Sequence, residues 1–182
     1  MILYIVRHGQ STWNIEKRLQ GQTMDVPLTD LGLEQAAQAR DELADVPLTA
    51  IWSSDQVRAL QTAQVIAAAH ALDVQPEPLL REHCFGALEG LLPSEMKEEP
   101  VPEGQHISEI AWGGGESVAD VYQRMLRLIE LLRAEFGSQD HVALVSHGDA
   151  IRILASALED RGHRNVEYFK VYNGSVHPRR LD

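Results

Sequence analysis

Cysteine is nearly absent from this chain. The single Cys84 in 182 residues excludes an internal disulfide framework and fits a reducing compartment, so a cytoplasmic location is expected. Cations are scarce as well. Sixteen Lys and Arg stand against 27 Asp and Glu, a formal net charge of −11, which argues against nucleic acid or an anionic membrane as partner. No window approaches the roughly 18 apolar residues of a membrane span. The first residues lack the basic region and cleavage site of a leader, so the strand beginning at Ile2 is expected to belong to the fold. No His pair has metal-ligand spacing, and no metal or cofactor is expected. What is present is 44% apolar residues in a length that suits a single domain, 1–182, with a sizeable core.

The apolar pattern alternates between strand and helix. Ile2 to Val6 reads as a buried strand. Thr29-Asp30 leads into a helix from about Leu31 to Leu43, with Leu33, Ala36, Ala37 and Arg40 at helical spacing. Ile51-Trp52 is a short strand, and Ser53-Ser54-Asp55 can cap the next helix. Its inner face is expected at Val57, Leu60, Ala63, Val65 and Ile66. Val74 to Leu80 carries two prolines and suits only a short or edge strand. Ser117 and Asp120 form a capping box for a helix striped by Val118, Val121, Met125, Leu128 and Leu132. A strand from Val142 to Val145 and a helix from about Asp149 to Leu158 follow, and Val166 to Tyr172 reads as the final strand. The fold class is α/β, a three-layer sandwich whose mostly parallel central sheet is flanked by helices.

Two strand ends carry chemistry. The first runs into Arg7-His8-Gly9 and the fourth into Ser146-His147-Gly148. The carboxyl ends of strands are where α/β sheets hold ligands. Two imidazoles and a guanidinium there point to one anion, and on so acidic a chain a local basic pocket is informative.

Further motifs follow in order: Ser11-Thr12-Trp13-Asn14, Ser53-Ser54-Asp55-Gln56-Val57-Arg58-Ala59, and Arg81-Glu82-His83-Cys84-Phe85-Gly86-Ala87-Leu88-Glu89-Gly90. Together with the two His-Gly strand ends, this ordered set resembles the histidine phosphatase superfamily, also called phosphoglycerate mutase-like, over nearly the whole chain. The resemblance implies a phosphomonoesterase working through a phosphohistidine on small phosphorylated metabolites. His8 is then the nucleophile and Glu82 the acid that later acts as base. Arg7 and Arg58 are cationic donors to the phosphoryl oxygens, and His147, if protonated by proximity to that anion, adds a third. Asn14 and the Gly148 N–H would complete the cradle. Gln20 and Gly21, with Lys17 and Arg18, would face the distal end of a substrate, and His83 could touch it. Glu89 is read as structural. His70, His141, His163 and His177 are read as solvated, Trp13 and Trp52 as core, and His106 as a residue that could line the pocket. The expected partner is a small phosphorylated metabolite, with no nucleic acid and no membrane; a homodimer is left open.

The chain departs from glycolytic mutases in a covering segment at about 91–115. It holds three prolines, four glycines and an acidic cluster of Glu95, Glu98 and Glu99. From Leu91 to Trp112 one cation, Lys97, stands against five glutamates, where mutases usually carry several Arg and Lys. This favours a phosphatase; mutase-type phosphoryl transfer is the alternative, and a non-catalytic phosphate-binding module the remoter one. The tail Asn173-Gly174-Ser175-Val176 is cut short by His177-Pro178, so a last sheet strand in that position is expected to be missing.

Overall fold

The computed structural model describes residues 1–97 and 100–182; Glu98 and Glu99 of the acidic cluster lie outside the described residues. The order is β1 (Ile2–Arg7), α1 (Thr12–Glu16), α2 (Asp30–Leu43), β2 (Ala50–Ser53), α3 (Val57–His70), β3 (Val74–Pro76), α4 (Val118–Glu135), β4 (His141–Ser146), α5 (Gly148–Leu158) and β5 (Val176–Arg180). The sheet runs β3-β2-β4-β1-β5, parallel except for β5.

Successive side chains of a strand face opposite ways, and both faces of this sheet are apolar. Leu3, Ile5, Val142 and Leu144 pack with Met125, Leu128, Leu132, Ile151 and Leu154 of α4 and α5. Val6, Ala143 and Val145 pack on the other side with Ala39 and Leu43 of α2 and with Ala59, Ala63 and Ile66 of α3. The chain therefore leaves β1 toward one face and β4 toward the other. Those two strands are neighbours, and such a switch point opens a crevice at their carboxyl ends.

Several local expectations need correction. The last strand is Val176–Arg180, not Val166 to Tyr172, which is irregular. Pro178 does not abolish it, because β5 is an edge strand pairing on one side only with β1. Helix α3 starts after Gln56 with no side-chain cap, and its buried face is Arg58, Ala59, Thr62, Ala63, Ile66 and Ala67. The small residues on that face let Arg58 and Thr62 point inward. Helix α2 buries Gly32, Ala36, Ala39 and Leu43 and leaves Leu31 and Leu33 exposed.

The rotation of α2 has a steric cause. A Cβ on Gly32 would lie 2.1 Å from the Gln10 carbonyl oxygen, and one on Gly9 would lie 2.1 Å from the carbonyl oxygen of Gly32. Backbone meets backbone there, so the start of α2 is pressed onto the loop that follows His8. Trp52 is in the core against Phe136 at 5.3 Å, whereas Trp13 is only half-buried. The covering segment forms short 3₁₀ turns at Pro93–Glu95, Ile107–Glu109 and Trp112–Gly114. The second packs on α4 and the third on the Gly86–Leu88 turn.

Gly32→Ala should therefore overpack this contact and destabilise the protein by about 1–3 kcal/mol. A lower thermal midpoint in circular dichroism is expected; an unchanged midpoint would mean that α2 can slide away freely.

Candidate active site

The parallel register pairs Arg7 with Ser146, so His8 and His147 leave adjacent strands side by side. The His8 N–H continues the ladder to the Ser146 carbonyl at 3.0 Å. The two rings lie 5.0 Å apart at 58°. Further bonds fix the His8 loop from both sides. Gly9 N–H donates to Thr62 Oγ1 at 3.1 Å, and Asn173 Nδ2 donates to the His8 carbonyl at 3.0 Å.

His8 Nδ1 lies 2.6 Å from the Gly9 carbonyl oxygen. A carbonyl can only accept, so Nδ1 carries the proton and Nε2 keeps its lone pair. Burial first, then the charges of Arg58 and Arg7, hold the His8 pKa well below the usual imidazole value. This is the state a nucleophilic imidazole needs. The same influences, burial foremost and then Arg58, hold His147 well below its usual value too. Without an anion these influences disfavour the protonated form of His147, and the negative charge of a bound anion is what would draw a proton to it, the condition on which it was expected to serve as a third cationic donor. Its Nε2 sits 2.8 Å from Ser54 Oγ.

Arg7 donates from Nη1 to the Val171 carbonyl at 2.5 Å. Arg58 is fully buried and donates to the carbonyls of Thr23 and Gly21 at 2.9 and 2.8 Å. Desolvation brings its pKa down to about 10 against the opposing pull of Glu82 and Glu89. Part of each guanidinium fork is thus committed to backbone. The Nε of Arg7, the Nε of Arg58 and Nδ1 of His147 are buried without a partner. An orphaned buried polar group costs about 1–3 kcal/mol. Three of them on the residues of one cationic cluster mark a place that an anion's oxygens would satisfy.

Glu82 approaches from the strap after β3. Its Oε1 accepts the N–H groups of His83 and Ala150, both at 3.0 Å, and Oε2 accepts that of Asp149 at 3.3 Å. It therefore caps the start of α5, directly beyond His147 and Gly148. Burial, followed by the charge of Asp149, raises its pKa, and these N–H groups and Arg58 only partly oppose the rise. A carboxyl lifted this way can hold a proton to give away. Glu89 is occupied differently: its oxygens accept from Gln22 N, Phe85 N and Thr23 Oγ1 at 2.9, 2.9 and 3.2 Å.

The remaining candidates form the walls. Asn14 Oδ1 accepts from Ser11 N–H at 3.0 Å within the capping box of α1, and Gln20 Oε1 lies 2.8 Å from Ser11 Oγ. Gly21 adopts φ +46°, and a Cβ there would fall 2.2 Å from a Glu89 oxygen. Gly148 opens α5, and a Cβ there would lie 3.3 Å from Arg152 Nη1 and 3.8 Å from the Arg7 guanidinium. His83 Nε2 lies 2.7 Å from the Glu116 carbonyl oxygen. None of the four histidines expected in solvent is fully exposed. His141 Nδ1 bonds Tyr4, His163 Nδ1 bonds Ser108, His177 Nε2 bonds Ser175, and His70 Nε2 is buried without a partner.

Two supports escaped sequence reasoning. Arg124 of α4 is buried and donates to the carbonyls of Leu79, Arg81 and Glu82 at 2.7, 2.8 and 3.1 Å while pairing with Glu116 at 2.9 Å. It holds the backbone of the Glu82 strap. The available signal was an arginine inside the apolar stripe between Val121 and Met125. Gln56 accepts from Glu82 N–H at 2.9 Å and donates to the Gly21 carbonyl at 3.0 Å, joining strap and loop. Nothing local in the sequence distinguishes it. Among the described residues no group of three or more His, Cys, Asp or Glu side chains could hold a metal ion.

The chain is similar to known proteins in sequence and in overall fold. A family profile for the histidine phosphatase superfamily (branch 1) covers residues 3–181. The chain belongs to that superfamily. It is 35% identical over 169 residues to fructose-2,6-bisphosphatase TIGAR B of Danio rerio, covering 90% of this chain and 66% of that protein. It is 38% identical over 166 residues to the "Probable phosphoglycerate mutase GpmB" of Yersinia pestis (strain Pestoides F), covering 86% and 74%. A mycobacterial glucosyl-3-phosphoglycerate phosphatase solved with VO3 superposes with a TM-score of 0.86 at 31% identity, over 97% of this chain and 91% of that one.

The buried neutral histidines make stability depend on pH. Below about pH 6.5 the unfolded chain takes up protons that folded His8 and His147 refuse, so stability falls with pH at up to about 1.4 kcal/mol per unit for each. Glu82, raised in the fold, acts oppositely and favours the folded state as pH falls. His147→Asn should therefore flatten the loss of thermal stability between pH 7 and 5.5. Parallel curves for the variant and the parent protein would contradict a neutral His147.

Proposed function

We propose that this protein is a phosphomonoesterase that transfers the phosphoryl group of small phosphorylated metabolites to His8 and then to water. The observation that carries this reading is the His8 imidazole itself. Its Nδ1 proton is committed to the Gly9 carbonyl at 2.6 Å, and its pKa is held down by burial, Arg58 and Arg7.

The reaction follows from those placements. The Nε2 lone pair attacks phosphorus in line while the ester oxygen departs with its electron pair and takes a proton from Glu82. The charge developing on the phosphoryl oxygens is met by Arg7, Arg58 and the first N–H of α5 at Gly148. Once phosphoryl is on His8, that negative charge favours the protonated form of His147. Glu82, now ionised, takes a proton from water as the oxygen attacks phosphorus. The N–P bond breaks, inorganic phosphate leaves, and His8 regains its lone pair. Asn14, Gln20 and Gly21 shape the loop beside Arg58 in this reading. The positive charge comes from arginines, so the chemistry is expected to proceed without a divalent metal, and a reducing, cytoplasmic setting suits the single cysteine.

Mutase-type transfer is the second reading, kept because relatives in Yersinia are named as probable phosphoglycerate mutases. It is disfavoured by the covering segment, whose only cation is Lys97. A mutase must hold a dephosphorylated intermediate with a further anionic group and keep water out.

His8→Ala should abolish both turnover and an acid-labile, base-stable phosphoenzyme; residual activity in that variant would sink the mechanism. Glu82→Gln should slow esters of poor leaving groups most and let phosphoenzyme accumulate from p-nitrophenyl phosphate, whose leaving group hardly needs a proton. Equal losses on good and poor leaving groups, without accumulation, would move the acid elsewhere. Vanadate should inhibit by mimicking the five-coordinate transition state. With 3-phosphoglycerate and catalytic 2,3-bisphosphoglycerate, phosphate release should outrun isomerisation, and the reverse order would establish the mutase.

A further inference from the structure

Beside Glu82 the fold encloses a cavity of about 340 Å³, at the lower end of the roughly 300–1,000 Å³ typical of small-molecule sites. Five stretches build it: His83 and Phe85 from the strap, His106 to Trp112 from the covering segment, Val118 of α4, Asp149 of α5, and His163 to Tyr168 after α5. Asp149 ties it to the reacting groups. It lines the cavity while its N–H donates to Glu82 Oε2 at 3.3 Å. Through Asp149 and through His83, the residue after Glu82, the cavity adjoins the carboxyl group from which a leaving oxygen would take its proton.

The charged groups of the wall already have partners. Arg164, the one guanidinium among the lining residues, pairs with Glu109 at 2.5 Å, and Asp149 pairs with Arg152 at 2.9 Å. Each imidazole has one nitrogen engaged. His106 and His163 both meet Ser108 Oγ, at 2.7 and 2.9 Å, and His83 meets the Glu116 carbonyl. The same contacts fasten the covering segment to the stretch after α5, closing the wall. What is left to meet a guest is chiefly Phe85, Ile110, Trp112, Val118, Val166 and Tyr168.

We infer that this cavity receives the alcohol part of the substrate and that this alcohol is uncharged and largely apolar, an aryl or branched alkyl group. The inference rests on the phosphatase reading above. A carboxylate or second phosphate placed here would need a cation, and the one guanidinium is bound to Glu109. Burying an unpaired charge is strongly unfavourable, whereas an apolar ring gains from every contact with this wall. The second nitrogen of each histidine can still meet a hydroxyl or ring heteroatom, so a planar heterocyclic alcohol also falls within the class.

The test compares benzyl phosphate, glycerol 3-phosphate and 3-phosphoglycerate, all esters of primary alcohols, on the intact protein. Benzyl phosphate should exceed both others in kcat/KM by about tenfold or more. Trp112→Ala should reduce the benzyl-to-glycerol ratio several-fold, chiefly through KM. Ile107→Arg places a cation at an exposed position of the wall, where folding tolerates it, and should raise 3-phosphoglycerate relative to benzyl phosphate. Turnover without a preference for benzyl phosphate would overturn the inference alone, as would ratios unmoved in both variants. No turnover of any ester and no phosphoenzyme would remove the phosphatase reading, and this inference with it.

Discussion

Everything in this site depends on the parallel pairing of β1 with β4. Arg7 lies opposite Ser146, so the two His-Gly ends emerge at one level, and the helices that follow diverge to opposite faces. A slip of one residue would turn Leu3 and Ile5 from one core to the other and separate the imidazoles. The two apolar layers enforce the register, and with it the 5.0 Å approach of His8 and His147. Core packing and catalytic geometry are here the same constraint.

That pairing gathers positive charge in a place with little water. Arg58 is held by backbone carbonyls, and Arg7 by that of Val171, so both guanidinium groups are oriented before any anion arrives. Such preorganisation is what phosphoryl transfer asks of a protein. Burial and the neighbouring cations also disfavour the protonated form of both imidazoles. Glu82 faces the opposite problem. It sits near these cations, yet burial together with Asp149 outweighs the N–H groups of α5 that favour its ionised form and raises its pKa.

A second layer of polar contacts holds the acid in position. Arg124 and Glu116 grip the strap that carries Glu82, and Gln56 links that strap to the loop of Gly21. These residues need not touch a substrate. They decide where Glu82 stands relative to His8, and the cavity lined by Asp149 lies next to it.

The chain by itself determined the elements that local rules govern. The strand ends with their His-Gly turns, the capping box of Ser117 and Asp120, and the apolar stripe of α4 are written in contiguous residues. So was the family, because its motifs are short and ordered. Tertiary structure alone decided the rest. The faces of α2 and α3 turned away from their apparent apolar stripes because Gly9 and Gly32 press backbone on backbone and Arg58 must point inward. The last strand forms despite Pro178 because only a partner on one side is required at a sheet edge. Arg124, Gln56 and the cavity wall join residues far apart in sequence, and a contact between distant residues leaves no periodic trace in either segment. Even the charge of His147 was beyond the sequence, since a pKa is set by burial and by neighbours that only the folded chain supplies.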